Sequence, residues 1–273
     1  MPRSSRRALR LAACALLLPA PAAAAPQRVR PGTLARWPGD ATESCGLEGR
    51  RFAPLEGACV YPVDLLHAAG PLTLLRRRAG REESRGVVVG RFDYPVQRLT
   101  LPPELVELSP EDRARVDREN ATVARLWARE GPRRFALPLA PPLGRLAKGG
   151  RFGSRRVING RRRSPHGGAD YAAEEGTAVL ASADGVVAMV ADHLLPGRCV
   201  FVDHGDGLIT MYFHLSRIDV AEGEELRQGA LVGAVGRTGR VTGPHLHFGV
   251  RWRGARVDPD LLLGPPQALT TLR

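Results

Sequence analysis

Lysine is almost missing from this chain: of its 40 basic residues, only Lys148 is not arginine. The arginines are spread along all 273 residues, and no known nucleic-acid motif accompanies them, which argues against a nucleic-acid partner. What remains is a basic surface, formal charge +12, suited to a polyanionic matrix such as a cell wall. Aromatic residues are also scarce, at 5%. Set beside 31 glycines and 23 prolines, that scarcity favours short strands and turns over a helical bundle. No apolar run is long and unbroken enough for a stable membrane span; the run from Leu11 to Ala25 is interrupted by Pro19 and Pro21. There is no CxxC pair to supply zinc thiolates. The series Gly233, Gly236, Gly239 and Gly243 lacks the GK[ST] ending of a phosphate loop, so these glycines read as turn residues. Internal repeats and coiled-coil heptads are absent. A hydrophobic content of 43% is still ample for a core, and the length allows two modest domains.

The first 24 residues read as an export signal. Arg3, Arg6, Arg7 and Arg10 make a charged start, the apolar run follows, and Ala22-Ala23-Ala24 offers a small-residue cleavage site before Ala25. Cleavage there removes four arginines and no acid, lowering the formal charge from +12 to +8. Ser5-Arg6-Arg7 is compatible with twin-arginine export, so the route stays open. Leu11-Ala12-Ala13-Cys14 resembles a lipoprotein cleavage box, but almost no apolar stretch precedes it; a plain signal peptide and a periplasmic product are preferred to anchoring through Cys14. In an oxidising compartment Cys45 and Cys59 are candidates for a disulfide, a pairing the sequence leaves open. Cys199, followed by Val200-Phe201-Val202, is expected as a buried strand residue.

Residues 25–44 read as a flexible lead. Residues 45–136 read as a small β-rich domain, with strand-like runs at Cys59-Val60-Tyr61, Leu72-Thr73-Leu74-Leu75, Val87-Val88-Val89 and Arg98-Leu99, followed by a helix. Ser109-Pro110-Glu111-Asp112 is a helix start, with Ser as N-cap, Pro in the first turn and two acids near the positive helix end. The helix is expected over about 110–130, with Val116, Val123 and Trp127 as a packing stripe. Gly131-Pro132 stops it. Residues 137–147 read as a stiff proline-rich linker. From 148 to 273 the texture is six or more short strands with glycine turns, which predicts a mainly β fold, an antiparallel β-sandwich or open barrel.

Six of the seven histidines lie beyond residue 160. His245 and His247 are two apart, which on a strand puts both rings on one face. One can bind a metal while the other stays free to reach a metal-activated water. His166 and Asp170 fit a short turn, and His214 follows the apolar run Met211-Tyr212-Phe213. Each signal is weak alone. Together they are hard to explain as core packing, because buried His and Asp need partners. Catalytic zinc takes three protein ligands and keeps one position open, and the reaction also needs a base.

Ser164-Pro165-His166-Gly167-Gly168-Ala169-Asp170-Tyr171, Val202-Asp203-His204-Gly205-Asp206-Gly207, Met211-Tyr212-Phe213-His214-Leu215-Ser216 and Thr242-Gly243-Pro244-His245-Leu246-His247-Phe248 together resemble the lysostaphin/LytM-type zinc metallopeptidases, which are peptidoglycan endopeptidases of mostly antiparallel β fold. The resemblance covers about residues 148–263. It implies one zinc ion per chain held by His166, Asp170 and His247, with His214 and His245 as the paired catalytic histidines. It implies a structural or rim-lining place for His204 and leaves His67 and His193 as surface or loop residues. Asp258-Pro259 resembles the family's closing turn. The implied substrate is the peptide cross-link of bacterial peptidoglycan, with D-Ala–diaminopimelate bridges preferred over pentaglycine. A regulatory partner is left open, as is restraint of the site by residues 26–145. The rival reading is a non-catalytic wall-binding regulator of cell-wall amidases, which loss of these side chains would mark; none is lost.

Overall fold

The computed structural model describes residues 26–100, 106–145, 150 and 152–272; the export segment 1–24, with Cys14, lies outside them, as does Lys148. The architecture is mainly β with one main helix, as the turn-rich composition predicts. The largest sheet has nine strands, in the order Gly168–Tyr171, Leu246–Trp252, Leu208–Ile218, Gly197–Asp203, Gly185–His193, Glu225–Leu226. Leu231–Val235 joins the far half of Leu208–Ile218 and carries Ala178–Leu180 on its other edge, while Ala255–Arg256 pairs with Leu246–Trp252. Every pairing in this sheet is antiparallel, and it does not close into a barrel.

Strand alternation decides which residues leave the site and which build the core. In Leu246–Trp252, the side chains of Leu246, Phe248, Val250 and Trp252 enter the main core, all fully buried. Each contributes on the order of 2 kcal/mol from burial alone. His247 and Gly249 take the opposite face. Gly197–Asp203 is covered on both sides: Val200 and Val202 enter the main core, and Cys199 and Phe201 enter a second cluster with Met189, Ile209 and Met211. Cys199 is thus the buried free thiol the sequence predicts.

The helix packs on that second cluster. It runs from Pro110 to Ala124, with Ser109 Oγ accepting from the Asp112 backbone N–H at 3.0 Å. It is shorter than expected. The tighter 3₁₀ turn Arg125–Ala128 replaces its last turn and drops Leu126 and Trp127 onto the sheet. Val123 and Trp127 pack as the predicted stripe requires, and Val116 lies along the same side, half-buried.

Two segments differ from their sequence reading. Residues of the expected flexible lead form strands: Gln27–Val29 lies parallel to Arg81–Val89, and Leu34–Pro38 lies between Ala58–Pro62 and Thr270–Thr271. Val29, Leu34, Ala35 and Trp37 are buried there. Their support comes from residues far along the chain, which local patterning does not display. Residues 137–145 of the expected linker form a packed strap. Leu137 and Leu139 sit in the main core beside Leu34, Leu55 and Val60. Leu139 N–H donates to Leu262 C=O, Ala140 N–H to Ser182 C=O, and Leu180 N–H to Pro142 C=O, each at 2.8 Å. The two candidate cysteines do pair: the disulfide Cys45–Cys59 ties Thr42–Leu47 to Ala58–Pro62. Among the described residues no helix is long and apolar enough to cross a membrane.

Candidate active site

Three adjacent strands aim the site. In register, Asp170 pairs with His247, and His247 pairs with Phe213 on its other side. His166 comes from the turn just before Gly168–Tyr171. Its Nε2 lies 2.9 Å from His247 Nδ1 and 3.0 Å from Asp170 Oδ1, and His247 Nδ1 lies 2.9 Å from the same oxygen. Gly168 allows this approach: a Cβ there would lie 2.7 Å from His247 Nε2.

Two imidazole nitrogens and a carboxylate oxygen thus converge on one point, buried or nearly so. Three lone-pair donors this close repel unless a cation or protons lie among them, and the set matches the nitrogen and oxygen chemistry of catalytic zinc. The residues present fit a single divalent ion. Burial would raise the Asp170 carboxyl, but hydrogen bonds and charge from His166 and His247 outweigh it and hold the group far below the usual carboxylate range. Burial pushes His247 down to about 4, so its ring is neutral and free to donate a lone pair at pH 7.

His214 and His245 flank the triangle, with ring centroids 5.0 Å apart. His245 Nδ1 lies 2.9 Å from Gly243 C=O and His214 Nδ1 lies 2.9 Å from Thr238 C=O. Each carbonyl takes a hydrogen bond from the protonated Nδ1, which leaves Nε2 as the free basic nitrogen of both rings. His245 Nε2 is 3.7 Å from Asp170 Oδ1. Burial, then the neighbouring His247 and His245, pushes His214 down to about 3.

His214 reaches this face through a break in alternation. Its φ is +66°, a left-handed backbone that β-strand residues rarely adopt. It marks the point where Leu208–Ile218 leaves Leu246–Trp252 and takes up Leu231–Val235. Regular alternation would turn His214 to the core side with Tyr212; the break instead puts Phe213 and His214 on the site face together. Phe213 stacks on His247, a contact the sequence reading did not single out although the residue stands inside the motif.

The other histidines are elsewhere. His204 is fully buried, with Nδ1 at 2.7 Å from Asp184 C=O and Nε2 at 2.8 Å from Thr210 Oγ1. His193 ends a strand, and His67 sits in a loop beside Glu48. Asp258 donates its backbone N–H to Gly32 C=O and faces Arg30, a closing turn tied to the N-terminal strands. The site opens into a cleft of about 550 Å³. Gln97, Leu99 and Leu108 from the first half of the chain form one wall.

Residues 164–259 match the family model for peptidase family M23. A crystal structure from Pseudomonas aeruginosa, itself assigned to peptidase M23, superposes with a TM-score of 0.63 at 30% identity, over 86% of this chain and 94% of that one. The chain belongs to peptidase family M23. Among curated relatives, the peptidoglycan DD-endopeptidase ShyA of Vibrio cholerae is 45% identical over 98 residues, 36% of this chain and 23% of the relative. The DD-carboxypeptidase/endopeptidase Mpg of Neisseria meningitidis is 46% identical over 105 residues, 38% of this chain and 24% of the relative. The chain therefore matches about a quarter of the length of these relatives. All of the motif residues lie inside residues 164–259, the span the family model matches.

Proposed function

We propose that this M23 chain is a zinc-dependent endopeptidase that hydrolyses peptide cross-links of bacterial peptidoglycan, acting as a D,D-endopeptidase in the periplasm. The observation that carries the reading is the convergence of His166, Asp170 and His247 within 3.0 Å of one another, with two further imidazoles whose Nε2 atoms are free. His166, Asp170 and His247 would hold one zinc ion. When bound, zinc supplies a Lewis acid that polarises the scissile carbonyl and lowers the pKa of water. His214 and His245 would share the proton work: the free Nε2 of one takes the proton from the attacking water, and that same proton passes on to the leaving amine, directly or through the Nε2 of the other. Their Nδ1–H···O=C bonds fix the tautomer this requires. Matched relatives named peptidoglycan DD-endopeptidases support the substrate, and the basic chain supports attraction to a polyanionic wall. The export-signal pattern and the disulfide support the compartment.

The test separates holding from proton transfer. Alanine at His166, Asp170 or His247 should remove bound zinc together with muropeptide release. Alanine at His214 or His245 should keep zinc and lower turnover by about 10²–10⁴. Normal digestion of sacculi by both of the last two variants would falsify the role assignment.

A further inference from the structure

Three arginines line the cleft beside the metal-binding triad, and they come from two separate parts of the fold. Arg156 lies on the strand Arg155–Ile158. Arg163 follows the strand Arg161–Arg162, its backbone N–H donating to Arg156 C=O at 2.8 Å. Arg240 lies in the loop before His245, held by a 2.9 Å bond from its N–H to Leu195 C=O. All three are half-buried. Burial, with the charges of Arg163 and Arg156, lowers the proton affinity of Arg240, so the three guanidiniums feel one another.

Arg156 Nη2 lies 3.6 Å from Asp170 Oδ2. Among the described residues neither Arg163 nor Arg240 forms an ion pair, and the Arg163 Nε is buried without a hydrogen-bond partner. Asp170 is already committed to His166 and His247, and a bound dication would add positive charge at the same point. Holding like charges together in a partly desolvated cleft is costly unless an anion completes the set. Guanidiniums match a carboxylate in particular, because their planar donors meet its two oxygens in pairs.

We propose that Arg163 and Arg240, backed by Arg156, form a subsite for a free carboxylate on the peptide next to the scissile bond. The inference rests on the peptidoglycan reading above and sharpens it. In a D-Ala–diaminopimelate cross-link, the carbon bearing the amide nitrogen also bears a free carboxylate. The interior of a glycine bridge has none, so the subsite selects the first kind of bond and rejects the second.

The experiment uses the zinc-loaded full chain and two cross-linked muropeptides that differ only in whether this diaminopimelate carboxylate is free or amidated. The wild type should favour the free acid by about tenfold or more in kcat/KM, mostly through KM. R163Q and R240Q should bring that ratio towards one, with R163K restoring part of it, while bound zinc and the unfolding temperature stay at wild-type values. A wild-type ratio near one overturns the subsite and leaves the endopeptidase reading standing. So does a variant that slows both substrates by the same factor. Cleavage of neither substrate by the zinc-loaded wild type overturns both readings.

Discussion

The ring of Phe213 lies flat against that of His247, centroids 5.2 Å apart and planes 13° from parallel. Strand register puts the two residues opposite each other, and the backbone break at His214 keeps Phe213 on the site side. The phenyl face holds the imidazole at the angle from which Nδ1 meets Asp170 and His166. Aromatic pairs of this kind are worth about 0.5–1.5 kcal/mol beyond their burial. Phe213→Ala is therefore expected to weaken zinc binding by up to about tenfold. Competition with a chromophoric chelator measures this, and unchanged zinc affinity would show that the stack does not orient the ligand.

Gly167 and Gly168 make a matched pair of tests. A Cβ at Gly168 would lie 2.6 Å from Phe248 C=O and 2.7 Å from His247 Nε2, both closer than atoms can pack. At Gly167 the nearest contact is Arg256 Cδ at 3.8 Å. Gly168→Ala should lower zinc to well below one ion per chain and cost about 1–3 kcal/mol of stability. Gly167→Ala should leave zinc content near that of the wild type. Metal analysis of the two purified proteins decides; equal zinc in both would contradict the close-packing account.

His204 links stability to pH. Burial lowers its pKa from 6.5 to about 4, against the opposing pull of Asp184 and Asp203. Below 6.5 the unfolded chain takes up a proton that the native ring refuses until about 4. The native state therefore loses stability as pH falls through that interval and keeps it in full above it. The loss totals on the order of 3 kcal/mol. Denaturant unfolding at pH 7.5, 6 and 5 should show the decline, and His204→Gln should remove this part of it. The same slope in the variant would assign the effect to other groups.

Leu34, Leu55, Val60, Phe135, Leu137 and Leu139 share one core with Tyr212, Phe248 and Trp252. A fragment beginning at Lys148 loses the first six. It is expected to unfold many degrees below the full chain, or to aggregate, because each missing Leu or Phe removes several kcal/mol of packing. Thermal unfolding followed by circular dichroism tests this; a fragment as stable as the full chain would mean that the shared core is dispensable.

The Cys45–Cys59 bridge closes a loop of 14 residues between two strands of the first half. A loop of this size stabilises the folded chain by about 3 kcal/mol in the chain-entropy account. The double variant C45S/C59S should unfold several degrees earlier, with zinc stoichiometry unchanged. Loss of zinc along with stability would place the bridge in the service of the site instead.

The site was legible to the extent that its chemistry is written in short motifs. The two-residue spacing of His245 and His247 predicts one shared face, and the structure puts His247 in the triad and His245 beside it. Their different tasks needed the structure, which shows Nδ1 of one facing Asp170 and Nδ1 of the other tied to a carbonyl. The place of Phe213 was hidden because period-two alternation fails at His214. The strands at 27–38 were hidden because their partners include Thr270–Thr271, more than 230 residues away. The arginine cluster was hidden for a different reason: in a chain so rich in arginine, no single one stands out until the fold brings Arg156, Arg163 and Arg240 to the same cleft.

Leu269 is buried in the main core and Leu272 among Val29, Trp37 and Tyr61, with the short strand Thr270–Thr271 between them. The last stretch of the chain thus locks two packing units at once. A chain that emerges from synthesis amino end first can therefore complete neither unit until residues 269–272 are in place.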